Sequence, residues 1–323
     1  MNLPTIPKIY ALGTRFNAQI FDNVVQVEEK IDGSQFSFGN VKGNVECRSK
    51  GQPIDPADPG MFKSAVDYVR TLTLFEGVVY QCEFLAKAKH NVLAYSRTPK
   101  NNLVLFDVRT PSGAYLNNTD RGIAAINIGI EPVKTLFQGR LTQFTAPAAI
   151  AEWHNTESQL GGVKIEGVVI KNYIAQHPES TFSTTANPLS HPPMTAKVVS
   201  EAYKERVATV PKNPKAGPGE VEQRLVNALR TEARWLKAIQ HLREAGKLVD
   251  DNRDIGPLCK EIQTDILAEE TDWIKQQLFD EFSKDILRGV VNGFAQFYQK
   301  LLANGPSVYQ EFYHNTKPTL QGV

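Results

Sequence analysis

The segment Val27-Glu28-Glu29-Lys30-Ile31-Asp32-Gly33-Ser34 sets a lysine at the end of an apolar strand, directly before an Asp-Gly turn. A lysine ammonium is protonated at neutral pH and cannot attack an electrophile. Held in a pocket, or beside other cations, its pKa falls and the amine becomes a nucleophile. A lysine facing solvent before a hairpin turn has the same local sequence, and Lys-x-Asp-Gly arises by chance in roughly one chain in ten of this size. Two further strands carry lysines. In Ile165-Glu166-Gly167-Val168-Val169-Ile170-Lys171, the glutamate and the lysine lie five positions apart. They face opposite sides of a regular strand unless a bulge or the glycine bends it. Thr195-Ala196-Lys197-Val198-Val199-Ser200 is the third. Three such strands in this order are far less expected from chance than any one of them.

The elements that must position these lysines are short strands. Val24–Val27, Phe36–Phe38, Gly77–Tyr80, Leu103–Phe106 and Gly167–Ile170 are β-branched or aromatic runs bounded by turn residues. Helices are expected over 60–73, where Met61, Phe62, Val66, Val69 and Leu72 fall near helical spacing, and around 145–154. Residues 174–193, rich in Ser, Thr, Pro and His, read as a loop. The run 210–219, Val-Pro-Lys-Asn-Pro-Lys-Ala-Gly-Pro-Gly, has almost nothing to bury and reads as a linker. Beyond it Leu225, Leu229, Ala233, Leu236 and Ile239 step by threes and fours, and so do Ile274, Leu278, Phe282, Ile286, Val290, Phe294, Phe297 and Leu301. The expected organisation is a β-rich domain over 1–209 and an all-helical domain over 220–323.

Composition narrows the classes. The 323 residues are 41% hydrophobic and 22% charged, which excludes disorder or a coiled coil for the whole chain. With 36 Lys+Arg against 35 Asp+Glu, the net charge of +1 excludes a strongly basic nucleic-acid glue but leaves room for a local basic face. No apolar run approaches the ~18 residues of a membrane span, and the proline-interrupted N-terminus is unlike a signal peptide. Cys47, Cys82 and Cys259 are odd in number and far apart, matching neither a disulfide framework nor a zinc site. A reducing, cytoplasmic setting is expected, in a bacterial or phage-infected cell.

Taken together, Lys30-Ile31-Asp32-Gly33, Arg48-Ser49-Lys50-Gly51, Tyr80-Gln81-Cys82-Glu83-Phe84, Phe106-Asp107, Glu166-Gly167-Val168-Val169-Ile170-Lys171 and Lys197 resemble the ordered motifs of the covalent nucleotidyltransferases. The nearest resemblance is to the ATP-dependent RNA ligases of the group typified by RNA ligase 2 of bacteriophage T4. It covers roughly 24–205. Thr195 stands where that group has a further lysine, and Cys82 where a glycine usually precedes the acidic residue.

The resemblance implies an α+β fold: a nucleotidyltransferase domain of ATP-grasp-like antiparallel sheets with flanking helices, followed by an all-α C-terminal domain. It implies Lys30 as the nucleophile that takes AMP from ATP, with Lys171, Lys197 and Arg48 as catalytic cations. Lys171 and Lys197 would stand on the α-phosphate and help lower the Lys30 pKa. Glu29, Ile31, Asp32, Gly33, Glu83, Phe106 and Glu166 would line the nucleotide site, with Phe106 stacked on adenine. Glu83 and Glu166 would hold Mg²⁺, or Mn²⁺ in its place. The implied substrate is RNA with 3′-OH and 5′-phosphate ends, in a nicked duplex or a broken tRNA-like loop, joined by a monomer.

Arg230, Arg234, Lys237 and His241 form a stripe that suits phosphate tracking, and equally a solvated helix face. Trp235 and Trp273 are expected in packing rather than in base stacking. The competing readings are a small ATP-dependent DNA ligase, an mRNA guanylyltransferase and a catalytically inactive nucleic-acid-binding relative. The helical pattern after 220, where a β-barrel is usual, disfavours the first two, and the intact Lys30, Glu166 and Lys171 disfavour the third.

Overall fold

The computed structural model describes residues 3–176, 192–200 and 218–304. Residues 210–217 of the expected 210–219 linker and most of the expected 174–193 loop lie outside the described residues, while Pro218 and Gly219 of that linker begin a helix. Two five-stranded sheets carry the N-terminal part. Their strands are β1 (Tyr10–Ala11), β2 (Val25–Lys30), β3 (Ser34–Val41), β4 (Asn44–Ser49), β5 (Val79–Phe84), β6 (Leu103–Arg109), β7 (Glu131–Pro132), β8 (Thr135–Gly139), β9 (Gly167–Gln176) and β10 (Pro193–Val199). One sheet has the order β1-β10-β9-β2-β8 and the other β4-β3-β5-β6-β7. Pairing is antiparallel except at two short edges, β1 with β10 and β6 with β7.

Alternation along the strands sorts their residues into two faces. On the first sheet Val25, Val27, Val168, Ile170 and Ala196 pack under α3 (Ala146–Trp153), through Ala146 and Ile150. On the second sheet Phe36, Phe38, Tyr80, Cys82, Phe84, Leu103 and Leu105 pack under α1 (Lys63–Val69) and against Ala125 of α2 (Asn118–Asn127). A third apolar cluster joins Ile31, Leu85, Leu93, Tyr95, Val104, Val133 and Leu160. The opposite faces carry the polar residues. Cross-strand pairing aligns Lys30 with Gly167, Glu28 with Val169 and Val169 with Lys197, and Gln26 with Lys171 and Lys171 with Thr195. All three expected lysines therefore share one sheet face.

The helices α4 (Pro218–Leu229), α5 (Glu232–Glu244), α6 (Ile255–Val290) and α7 (Phe294–Asn304) follow, as the periodicity predicts. Packing divides the chain into Met1–Ile266 and Leu267–Val323, a boundary within α6. Within the second unit, the expected apolar stripe leaves Leu278, Ile286, Val290, Phe294 and Phe297 exposed, although Phe294 packs on Tyr298 with ring centroids 5.8 Å apart. Among the described residues no helix is long and apolar enough to cross a membrane.

Candidate active site

Lys30 ends β2, and the three residues after it build the turn. Asp32 accepts hydrogen bonds from the backbone N–H groups of Val92 and Leu93, both at 2.8 Å, and its own N–H donates to Tyr95 Oη at 2.8 Å. Gly33 N donates to Glu83 Oε1 at 3.1 Å. A Cβ on Gly33 would come within 2.7 Å of both Glu83 Cγ and the Phe84 carbonyl oxygen, so only glycine fits. Ile31 is buried in the third apolar cluster. Ile31, Asp32 and Gly33 thus fix the turn that follows Lys30.

Lys30 Nζ lies 2.5 Å from Glu166 Oε2, and the two side chains are 28% and 14% exposed. Glu166 sits at a bend just before β9, which lets it reach the face that Lys171 also occupies. The next residue, Gly167, is needed because a Cβ there would lie 2.2 Å from the Val198 carbonyl oxygen of β10. Burial alone would lower the Lys30 pKa, but the Glu166 carboxylate outweighs it and holds the ammonium above the ordinary lysine value. The expected lowering by neighbouring lysines is therefore not what this arrangement produces. Burial raises the Glu166 pKa above the ordinary carboxylate value, and Lys30 and, more weakly, Lys197 oppose that by favouring its charged form. Across from the pair, burial pushes Glu83 up to about 8; Lys30 pulls it down while Glu244, Glu166 and Asp32 push it higher.

Lys171 stands elsewhere. The β2–β9 register puts it opposite Gln26, four residues from Lys30, about 13 Å along the strand. Its Nζ lies 2.7 Å from Glu28 Oε2, 3.0 Å from Asp107 Oδ2 and 2.7 Å from the Phe106 carbonyl. Arg121 of α2 completes a buried quartet by pairing with Glu28 and donating to the same Phe106 carbonyl at 2.9 Å. Phe106 is the extra residue of a β-bulge, since Gln81 pairs with Asp107 and Cys82 with Leu105. The bulge frees the Phe106 carbonyl from the ladder and turns both Phe106 and Asp107 to the polar side. Lys171 Nζ is 5.6 Å from the Phe106 ring centroid.

The other expected residues divide. Arg48 aligns with Ser37, and Ser37 with Gln81, on the face of the second sheet that carries Glu83. Its Nε is buried with no hydrogen-bond partner among the described residues. Glu29 turns to the opposite face, where it accepts from Ser158 Oγ at 2.5 Å and Gln159 N at 2.9 Å. Burial raises its pKa. Among the described residues no group of three His, Cys, Asp or Glu side chains is assembled for a metal. Glu83 and Glu166 remain two hard oxygen donors close to Lys30, a set that suits Mg²⁺ sharing phosphate oxygens and waters.

The basic stripe of α5 does not face outward as a unit. Arg234 is buried and paired with Asp265, Lys237 Nζ lies 2.7 Å from the same carboxylate, and His241 Nδ1 lies 2.9 Å from Glu261 Oε1. Trp235 and Leu236, expected in packing, are exposed. The packed face of α5 also carries Gln240 and Glu244, which sequence reasoning missed. Gln240 Nε2 donates to the Gly33 carbonyl at 2.8 Å, and Ser34 Oγ donates to Glu244 Oε1 at 2.5 Å. Nothing in their local spacing distinguishes them from any polar pair on a helix.

Residues 23–184 match the RNA ligase family. No curated protein matches the chain. The fold is similar to that of a Naegleria gruberi RNA ligase with PPi, at 16% identity and a TM-score of 0.44, over 62% of this chain and 57% of that one. A mutant of the same enzyme with ATP and Mn gives 14% identity and a TM-score of 0.40, over 62% and 57%. The chain therefore spans little more than half the length of these ligases.

Proposed function

The chain belongs to the RNA ligase family, and on that premise we propose that it joins RNA 3′-OH and 5′-phosphate ends with ATP, through a lysyl-AMP on Lys30. The observation that carries the reading is the Lys30–Glu166 pair at 2.5 Å, partly open to solvent and with Glu83 across from it. In the first step Lys30 loses its proton to solvent through the open side of the pair. The amine attacks the α-phosphorus of ATP, an N–P bond forms, the bond to the bridging oxygen breaks and pyrophosphate leaves. An oxygen of the RNA 5′-phosphate then attacks the same phosphorus, and the N–P bond breaks to return the amine. Finally the 3′-OH attacks the 5′-phosphorus, loses its proton and expels AMP.

Glu83 and Glu166 are the residues that would hold Mg²⁺, which when bound supplies positive charge beside the reacting phosphate. Charge compensation of this kind is the main demand of phosphoryl transfer. Lys197 and Arg48 would add to it. Lys171 takes a different role from the expected one: with its charge met by Glu28 and Asp107, it fixes the Phe106 carbonyl and so the ring that would stack on adenine.

The test is intact-mass measurement after incubation with ATP and Mg²⁺. An AMP-sized increment that vanishes in Lys30→Ala supports the reading, and an increment that survives refutes the assignment. Sealing assays on nicked RNA, RNA–DNA hybrid, DNA and single-stranded ends then define the substrate.

A further inference from the structure

Helix α5 lies beyond the residues that match the family, yet it closes on the turn that carries Lys30. Its start is capped by Thr231, whose Oγ1 accepts from Arg234 N at 3.3 Å. One side is anchored to α6 by the pairs of Arg234 and Lys237 with Asp265, and of His241 with Glu261. The side that meets the turn carries Gln240 and Glu244, four residues apart and so on one helical face. Gln240 Nε2 donates both to the Gly33 carbonyl at 2.8 Å and to Glu244 Oε1 at 2.7 Å. Glu244 Oε1 also accepts from Ser34 Oγ, and Ser34 Oγ stands 2.8 Å from His90 Nε2. His90 Nδ1 accepts from Ala86 N at 3.2 Å, which leaves the proton on Nε2 to be donated to Ser34.

The Gly33 peptide groups are consequently held on every side. The carbonyl accepts from Gln240 and from Asn91 Nδ2 at 2.8 Å, while the N–H donates to Glu83. Glu83 and Asn91 belong to the catalytic sheets and their loops; Gln240 and Glu244 come from more than 200 residues further along the chain.

We propose that Gln240 and Glu244 are positioning residues for lysyl-AMP formation, acting by hydrogen bonds that hold the Gly33–Ser34 backbone and thereby the aim of Lys30. The proposal rests on Lys30 being the nucleophile. Attack by an amine on phosphorus demands alignment, and small misplacements of a reacting group are costly. Sealing of RNA that already carries AMP on its 5′ end does not use the Lys30 amine as a nucleophile, so it is spared.

The full chain is used for the test. Glu244→Ala, Gln240→Glu and Glu244→Gln are compared with wild type for three readings: the single-turnover rate of lysyl-AMP formation at saturating ATP with its half-saturation concentration, the sealing of pre-adenylylated RNA, and Tm. Glu244→Ala and Gln240→Glu are expected to slow adenylylation by ~10-fold or more, with half-saturation and pre-adenylylated sealing within ~2-fold of wild type. Gln240→Glu turns a donor into an acceptor facing the Gly33 carbonyl at nearly unchanged volume. Glu244→Gln keeps an oxygen that accepts from Ser34 and should restore most of the rate. Wild-type adenylylation in both disruptive variants overturns the proposal. So does a fall in adenylylation and pre-adenylylated sealing together with Tm, or a Glu244→Gln variant as slow as Glu244→Ala. Failure of wild type to form any adduct would instead refute the proposed activity itself.

Discussion

Lys30 and Lys171 sit on the same face of the same pair of strands, yet their surroundings are opposite. Lys30 meets one carboxylate and is 28% exposed. Lys171 is 2% exposed, meets two carboxylates and a backbone carbonyl, and shares Glu28 with a fully buried arginine. One lysine is partly open to solvent; the other has its charge matched and every donor occupied. Residue type and sheet face are shared, so the difference comes from where along the strands each stands and what the facing sheet presents there. At Lys30 it presents Glu83 beside a turn. At Lys171 it presents Asp107 and the Phe106 bulge. A buried pair that loses one partner strands a charge, while a partly open pair can part and re-form around a ligand.

The sharpest break of this comparison is at Lys30. Lys30→Ala should abolish the AMP adduct completely while leaving Tm near that of wild type, read by intact mass and a thermal melt. Lys171→Met should do the reverse first: it leaves Glu28 and Asp107 undercompensated, and removing one partner of such a buried network costs about 3–5 kcal/mol, read by chemical denaturation. If Lys171 works through Phe106, its effect on the half-saturation for ATP should largely vanish in a Phe106→Ala background. Additive effects would return Lys171 to the phosphate. Gly33→Ala forces a Cβ to within 2.7 Å of Glu83 Cγ and the Phe84 carbonyl. That overpacking should cost about 1–3 kcal/mol and slow adenylylation, visible in the same two assays. The smallest effect is expected at the Lys63–Asp67 pair, whose partners are 71% and 60% exposed. Lys63→Ala should change stability by less than about 0.5 kcal/mol, which calibrates what a lysine–carboxylate contact is worth without burial.

Much of the fold was legible. The β-branched runs became strands, and the three- and four-residue apolar steps became helices, because both signals are local. The two motif glycines, Gly33 and Gly167, have a steric reason that the motif only hinted at: a neighbouring strand approaches too closely for a Cβ. The five-residue spacing of Glu166 and Lys171 left their relative facing open, and the bend before β9 decided it. The face of α5 was misread. A stripe of Arg234, Lys237 and His241 looks solvent-facing by residue type, and it is packed because Asp265 and Glu261 meet it.

The sequence by itself determined where a nucleophilic lysine could stand, which strands carry its companions, and which family the chain joins, since these depend on residue types at short spacing. The tertiary structure alone decided which lysine is open and which is locked, that the Phe106 carbonyl is held by Lys171 and Arg121, and that a helix more than 200 residues away reaches the turn after Lys30. The physical reason is that a charge or a donor takes its character from its partners. Partners such as Glu28 and Arg121, or Gly33 and Gln240, are brought together by packing and leave no mark in local periodicity.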